Sequence, residues 1–259
     1  MNLHEELMLM LIVLSALLYA VSVVTALAGH DRLSFRVFAA AWLVNAMVIA
    51  GNYLLCGHPP FGNMYHVLCF LSLCFLPFYL FVERRHGLGW TMRYFSFASV
   101  IPLIGTFFLE RDLAWQRIPA LQSPWFVPHV LSYMIAYATA AVAFLLMVIG
   151  LWQRVDCRQR WLDASLQIMR VAFPFMTFGL WSGALWAEEA WGIYWSWDPK
   201  ETWSLITWTL YLVYFHCQSV PAKRRLAPWA QILAFAALLI TFLVVNLLPK
   251  FANTLHSYA

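Results

Sequence analysis

Long apolar runs separated by short polar breaks make up almost the whole chain. Eight runs, at about residues 7–28, 36–56, 64–82, 91–109, 129–152, 166–187, 203–220 and 226–248, have the length and continuity of membrane helices. About 20 apolar residues cover the roughly 30 Å of bilayer hydrocarbon. The fourth and sixth runs are the least clean, with Arg93 and Arg170 at their edges, where a long basic side chain can snorkel to the interface. The first run follows a head carrying Glu5 and Glu6, and no small-residue cleavage site follows a short core, so it reads as a retained helix.

Composition agrees with this pattern. The chain of 259 residues is 63% hydrophobic and 11% charged, far outside the range of a soluble domain. The expected fold class is therefore all-α: a polytopic membrane protein of about eight transmembrane helices, forming one domain over residues 1–259 without a soluble part or a convincing internal repeat.

Charge sets the expected orientation. One set of connections holds Arg32, Arg36, Arg84, Arg85, Arg93, Arg154, Arg158, Arg160, Arg170, Lys223, Arg224 and Arg225. The other holds only Arg111, Arg117, Lys200 and Lys250. Lysine and arginine accumulate on the cytoplasmic side, so both termini and the connections 110–128 and 186–203 are expected outside. The net charge of +4 is explained by these short loops and needs no nucleic acid.

Cys56, Cys69, Cys74, Cys157 and Cys217 form no C-x-x-C pair and no C-x-x-C-H haem attachment site. That excludes a dithiol oxidoreductase of this type and a c-type cytochrome. Most of them lie in apolar runs and read as small buried hydrophobes.

Among eight histidines, His4, His30 and His86 lie in polar segments and carry no expected role. His129 opens the fifth run, and His256 follows the eighth in "PKFANTLHSYA". Both are expected on the outer side, and a pair of imidazoles can hold a haem iron from opposite faces. His216 lies 13 residues beyond Trp203, or roughly 20 Å along a helix, which puts it toward the cytoplasmic leaflet. An ionisable residue inside a membrane is a functional candidate, although a histidine bonded to a neighbouring helix fits equally well. His58 and His66, around the start of the third run, read as interfacial or lining residues.

The densest feature is "WAEEAWGIYWSWDPKETWSLITW", with six tryptophans in residues 186–208. Part of it starts a helix. Asp198 suits the N-cap, Pro199 the first turn, and Glu201 the return bond of a capping box. Trp203 and Trp208 fit as interfacial or packing aromatics. Trp186, Trp191, Tyr194, Trp195 and Trp197 are left over. A polyaromatic platform suits a flat apolar ligand, and Lys200 can neutralise a carboxylate on it.

"WGIYWSWDPKETWSLITW" resembles the tryptophan-rich WWD domain of the cytochrome c assembly family, and its "KETW" ending resembles the CcsA/ResC branch of the system II cytochrome c synthetases. "GHPPFGNMYHVLCFLSL", "PALQSPWFVPHV" and "FANTLHSYA" are similar to three further segments of that family, so the resemblance covers about residues 50–259. It implies haem b as a carried substrate, resting on the WWD loop (about 186–203) at Trp191, Tyr194, Trp195, Trp197, Asp198, Lys200 and Trp203. It implies His129 and His256 as outer axial ligands, and His216 as a ligand within the membrane. The activity implied is a holocytochrome c synthase that joins haem to the CXXCH motif of apocytochrome c. A CcsB/ResB-type membrane protein is the implied partner, with thiol-reducing proteins acting indirectly. The implied location is a bacterial inner membrane with the haem site facing the periplasm, or a thylakoid membrane. Family members commonly carry an acidic residue where His66 stands.

Two rival readings share the architecture. A haem exporter or HemX-like regulator would lack an apocytochrome partner. A haem-bearing subunit of a quinone redox complex would need paired deep histidines, whereas this sequence offers one, His216.

Overall fold

The computed structural model describes residues 3–109 and 118–245, and every regular element among them is helical. Eight α-helices follow one another among the described residues: α1 (Leu3–Leu27), α2 (Asp31–Cys56), α3 (Met64–His86), α4 (Met92–Thr106), α5 (Phe126–Trp152), α6 (Val155–Trp191), α7 (Pro199–Ser219) and α8 (Ala227–Leu239). A π-helical turn, Ile240–Val244, extends α8. His256, Lys250, Arg111, Arg117 and the last residues of the eighth expected span lie outside the described residues.

Among the described residues, six stretches are long and apolar enough to cross a membrane: His4–Leu27, Asp31–Cys56, Met64–His86, Phe126–Trp152, Val155–Trp191 and Pro221–Val244. Helices α4 and α7 fall short of this. The 15 residues of α4 extend only about 22 Å at 1.5 Å per residue. Helix α7 has the length, but its polar opening turn and its hydroxyl, amide and imidazole side chains dilute its apolar run. The reverse occurs in α6, whose 37 residues reach about 55 Å. Its first turns, through Asp156, Arg158, Arg160 and Asp163, carry the helix past the expected start of the sixth run.

The chain divides into two compact units, residues 1–118 and 119–259. In the first, α1 packs on α2 and α4, and α3 packs on α2 and α4, closing a four-helix ring. Polar side chains join the helices where apolar contact gives little driving force. The Trp42 indole N–H donates to the Leu73 carbonyl at 2.8 Å, Asn45 Nδ2 to the Cys69 carbonyl at 3.1 Å, and Ser34 Oγ to the Ser22 carbonyl at 2.7 Å.

The second unit repeats the ring, with α5 on α6 and α8, and α7 on α6 and α8. The α5–α6 hairpin is its most extensive pairing. Glycines allow these two backbones to close up at three levels. A Cβ on Gly150 would meet Trp161 Cβ at 2.6 Å, one on Gly179 would meet the Tyr133 ring at 2.9 Å, and one on Gly183 would meet the His129 ring at 2.7 Å. Between these levels Ser165 Oγ donates to the Ala143 carbonyl at 2.7 Å, and Gln231 Nε2 of α8 donates to Ser165 Oγ at 3.0 Å.

Candidate functional site

His129 stands in the first turn of α5, with the Nδ1 side of its ring toward α6. Its Nδ1 is 2.9 Å from the Gly179 carbonyl. A carbonyl oxygen only accepts, so Nδ1 donates, and the Nε2 lone pair is the acceptor of the ring. This is how metal-ligating histidines are usually held, with one ring nitrogen tied to a carbonyl or carboxylate and the other presented to the ion. Aromatic rings surround the imidazole: Tyr133 edge-on at 5.0 Å and Trp186 tilted at 5.4 Å. Trp186 is buried, touches Trp191 at 5.1 Å and Phe126 at 5.3 Å, and donates its indole N–H to the Ala120 carbonyl at 2.7 Å. Ser123 Oγ donates to Glu189 Oε2 at 2.6 Å, a second tie between residues 119–123 and the end of α6.

Gly192 ends α6 with φ of 72°, the left-handed conformation glycine adopts without a Cβ clash. The chain then runs through an irregular loop to α7. Asp198 caps that helix, its Oδ1 accepting from the backbone N–H of Lys200 at 2.8 Å and of Glu201 at 3.2 Å. Glu201 Oε2 returns to the loop and accepts from Ser196 N at 2.8 Å, Ser196 Oγ at 3.1 Å and Asp198 N at 3.3 Å. Thr202 Oγ1 donates to the Trp197 carbonyl at 3.1 Å. These bonds hold Trp197 at φ of 59°, the one non-glycine residue with positive φ among those described. A bulky side chain in that region is strained, and such strain persists only where the surroundings impose it. Trp197 is 68% exposed. It meets Trp195 edge-on at 5.8 Å, and Tyr194 is exposed beside them. Lys200, in the opening turn of α7, is half-buried. Desolvation lowers its pKa to about 8, against the opposing pull of the Asp198 carboxylate.

His216 lies in the last turn of α7 and is exposed. Its Nε2 is 3.1 Å from Lys223 Nζ. Two turns back, Trp208 stacks on Phe173 of α6 at 5.8 Å and donates its indole N–H to Thr177 Oγ1 at 3.0 Å. His66, expected as an interfacial or lining residue, is fully buried in the first turn of α3, where its backbone N–H is capped by Asn63 Oδ1 at 2.9 Å. His58 Nδ1 sits 3.3 Å from the Pro59 carbonyl. None of the five cysteines is in a disulfide, and Cys69, Cys74 and Cys217 are buried as their apolar surroundings suggest. Among the described residues no group of three histidine, cysteine, aspartate or glutamate side chains converges.

The family profile described as "Cytochrome C assembly protein" matches residues 61–253, which takes in α3 to α8 and every candidate residue but His58 and His256. The chain belongs to the cytochrome c assembly protein family. Its relatives include the "Cytochrome c biogenesis protein CcsA" of Chlamydomonas reinhardtii, 38% identical over 228 residues, covering 78% of this chain and 61% of that protein. Proteins of the same name from Mesostigma viride and Adiantum capillus-veneris are 29% and 30% identical, over 82% and 88% of this chain and 81% and 87% of theirs. The chain thus spans less than two thirds of the Chlamydomonas protein's length.

In this cytochrome c assembly protein, one cluster joins His129, Trp186 and Trp191, and a second joins Trp195, Trp197, Asp198 and Glu201. Lys200 follows in the chain, whereas His216 stands at the far end of α7. Gly179 and Gly183 were not singled out from sequence, although "FGLWSGALW" carries a G-x-x-x-G spacing that marks close helix packing.

Proposed function

We propose that this protein is the haem-handling membrane subunit of a cytochrome c synthetase. It moves haem to the outer face, holds it on the tryptophan loop, and supports its attachment to the CXXCH motif of apocytochrome c. The observation that carries this reading is His129, tied at Nδ1 to Gly179 and flanked by Tyr133 and Trp186. A polarised imidazole set in an aromatic wall has the chemistry of an axial haem ligand. His256 is the second outer ligand, and His216 a ligand nearer the cytoplasmic side. Trp191, Tyr194, Trp195, Trp197 and Trp203 supply flat apolar surface, and Lys200 a cation for a propionate.

The reaction is an addition. Each thiol of the apocytochrome adds across one haem vinyl group, with sulfur bonding to one carbon and hydrogen ending on the other, so no external oxidant or reductant is consumed. The protein's contribution is positioning, which makes a bimolecular encounter effectively unimolecular. Asp198 and Glu201 are occupied as cap and loop tie, and no proton transfer is assigned to them. A CcsB/ResB-type protein completes the machine, with thiol-reducing proteins acting upstream on the apocytochrome. The positively charged connections face the cytoplasm, placing both termini and the tryptophan loop outside, in a bacterial inner membrane or the equivalent thylakoid membrane.

The test is to co-express the chain with a CcsB-type partner, purify the complex and record its visible spectrum. Wild type carries a Soret band, and His129→Ala, His256→Ala and His216→Ala each weaken or shift it. Absence of a Soret band in wild type refutes haem handling. A spectrum unchanged by the outer substitutions refutes the ligand assignment.

A further inference from the structure

The His129 imidazole is placed by α6 rather than by its own helix. The Gly179 carbonyl accepts from Nδ1 at 2.9 Å. One turn further along α6, a Cβ on Gly183 would lie 2.7 Å from both His129 Cε1 and Nδ1, but 3.7 Å from Nε2. The ring therefore leans on the space a side chain would fill, with Nε2 the ring nitrogen farther from Gly183. Gly179 is needed as well, because its own Cβ would enter the Tyr133 ring at 2.9 to 3.1 Å, and Tyr133 is the edge-on neighbour of His129. Trp186 is tilted against the ring at 5.4 Å.

We propose that Gly179 and Gly183 form a positioning notch on α6 that sets both the tautomer and the aim of His129, presenting Nε2 to the haem iron. This rests on the ligand role given to His129 above and assigns two residues that act through it. A side chain at 183 displaces the ring and breaks the Nδ1 bond. Outer-shell changes of this kind typically cost about 10–100-fold in metal affinity.

Gly150 supplies a matched control. It packs on Trp161 across the same α5–α6 seam with an equally close approach of 2.6 Å, well removed in sequence from His129. The experiment compares Gly183→Ala, Gly150→Ala and His129→Ala in the full chain with its CcsB-type partner, reading haem affinity, the visible spectrum and the melting temperature. Gly183→Ala reproduces the spectral change of His129→Ala and lowers haem affinity about 10–100-fold, while Gly150→Ala lowers the melting temperature and leaves the spectrum intact. A wild-type spectrum and affinity in Gly183→Ala overturns the proposal, as does an equal spectral loss in both glycine variants, which would reflect general damage to the seam. A His129→Ala protein spectrally identical to wild type instead overturns the ligand assignment itself.

Should Gly183→Ala not accumulate, the wild-type chain decides. In haem-free protein with 15N-labelled histidine, the His129 signals, assigned by their loss in His129→Ala, show the proton on Nδ1. A proton on Nε2 overturns the notch.

Discussion

The ammonium of Lys223 donates to Nε2 of His216 at 3.1 Å. Lysine has only donors, so this nitrogen supplies the lone pair and the ring proton sits on Nδ1. The nitrogen that would bind iron is thus engaged by a cation seven residues away, just beyond the end of α7. A haem reaching His216 must displace Lys223 first. An exposed hydrogen bond of this kind is worth about 1 kcal/mol, or roughly fivefold in affinity. Lys223→Ala, in a His129→Ala background, therefore binds haem several-fold more tightly at His216 in a spectrophotometric titration. Unchanged or weaker binding would show that Lys223 does not compete for the ring.

Glu201 ties the tryptophan loop down through a single oxygen that accepts from Ser196 N, Ser196 Oγ and Asp198 N. Glu201→Ala loses the tie and the return bond of the cap, a cost of about 1–2 kcal/mol. Glu201→Gln keeps an acceptor oxygen and loses less. The order wild type, Gln, Ala should appear in the melting temperature and, reversed, in the rate of proteolysis at residues 193–198.

Trp197 carries its strain for exposure. At φ of 59° a non-glycine residue gives up about 1–2 kcal/mol that glycine does not. Trp197→Gly should melt at or above the wild-type temperature while holding haem less well. Trp197→Ala, which loses the ring but keeps a Cβ, should lose haem without that relief. A Gly variant less stable than the Ala variant would argue against strain at this position.

Lys200 gives the site a pH dependence. Its pKa falls on folding from the ordinary 10.5 to about 8, so in the folded protein it is a cation below about 8 and largely neutral above. If it pairs with a propionate, haem retention drops as pH rises from 7 to 9, by a few-fold for a partly exposed pair. Lys200→Arg removes the drop because arginine stays charged. Stability runs the other way. Between about pH 8 and 10.5 the unfolded chain binds more protons at this residue than the folded one, so this group favours the fold increasingly as pH rises. Retention that falls equally in wild type and Lys200→Arg assigns the pH effect elsewhere.

Much of this molecule is written locally. A run of 20 apolar residues is a helix in a bilayer whatever its neighbours are, and among the described residues each expected run contains a helix, although α4 and α7 fall short of a membrane span and α6 starts earlier than expected. The capping box at Asp198 and Glu201 is local too, since its bonds link residues no more than five apart, and residue type with spacing suffices to foresee it. The tryptophan loop stands out by composition for the same reason.

What the sequence by itself determined, then, was the helical membrane class, the cap of α7, and a loop dense in tryptophan. Only the tertiary structure decided what surrounds each histidine and tryptophan. His129 owes its tautomer to a carbonyl 50 residues away, and Trp186 is buried against a segment 66 residues earlier in the chain. His66 is fully enclosed although it opens its helix, and His216 is held by a lysine beyond the helix end. Hydrophobic periodicity reports which face of a helix is apolar. It carries no record of which turn of a neighbouring helix lies opposite, and that register, set here by glycines that let α5 and α6 close up, orients the imidazole.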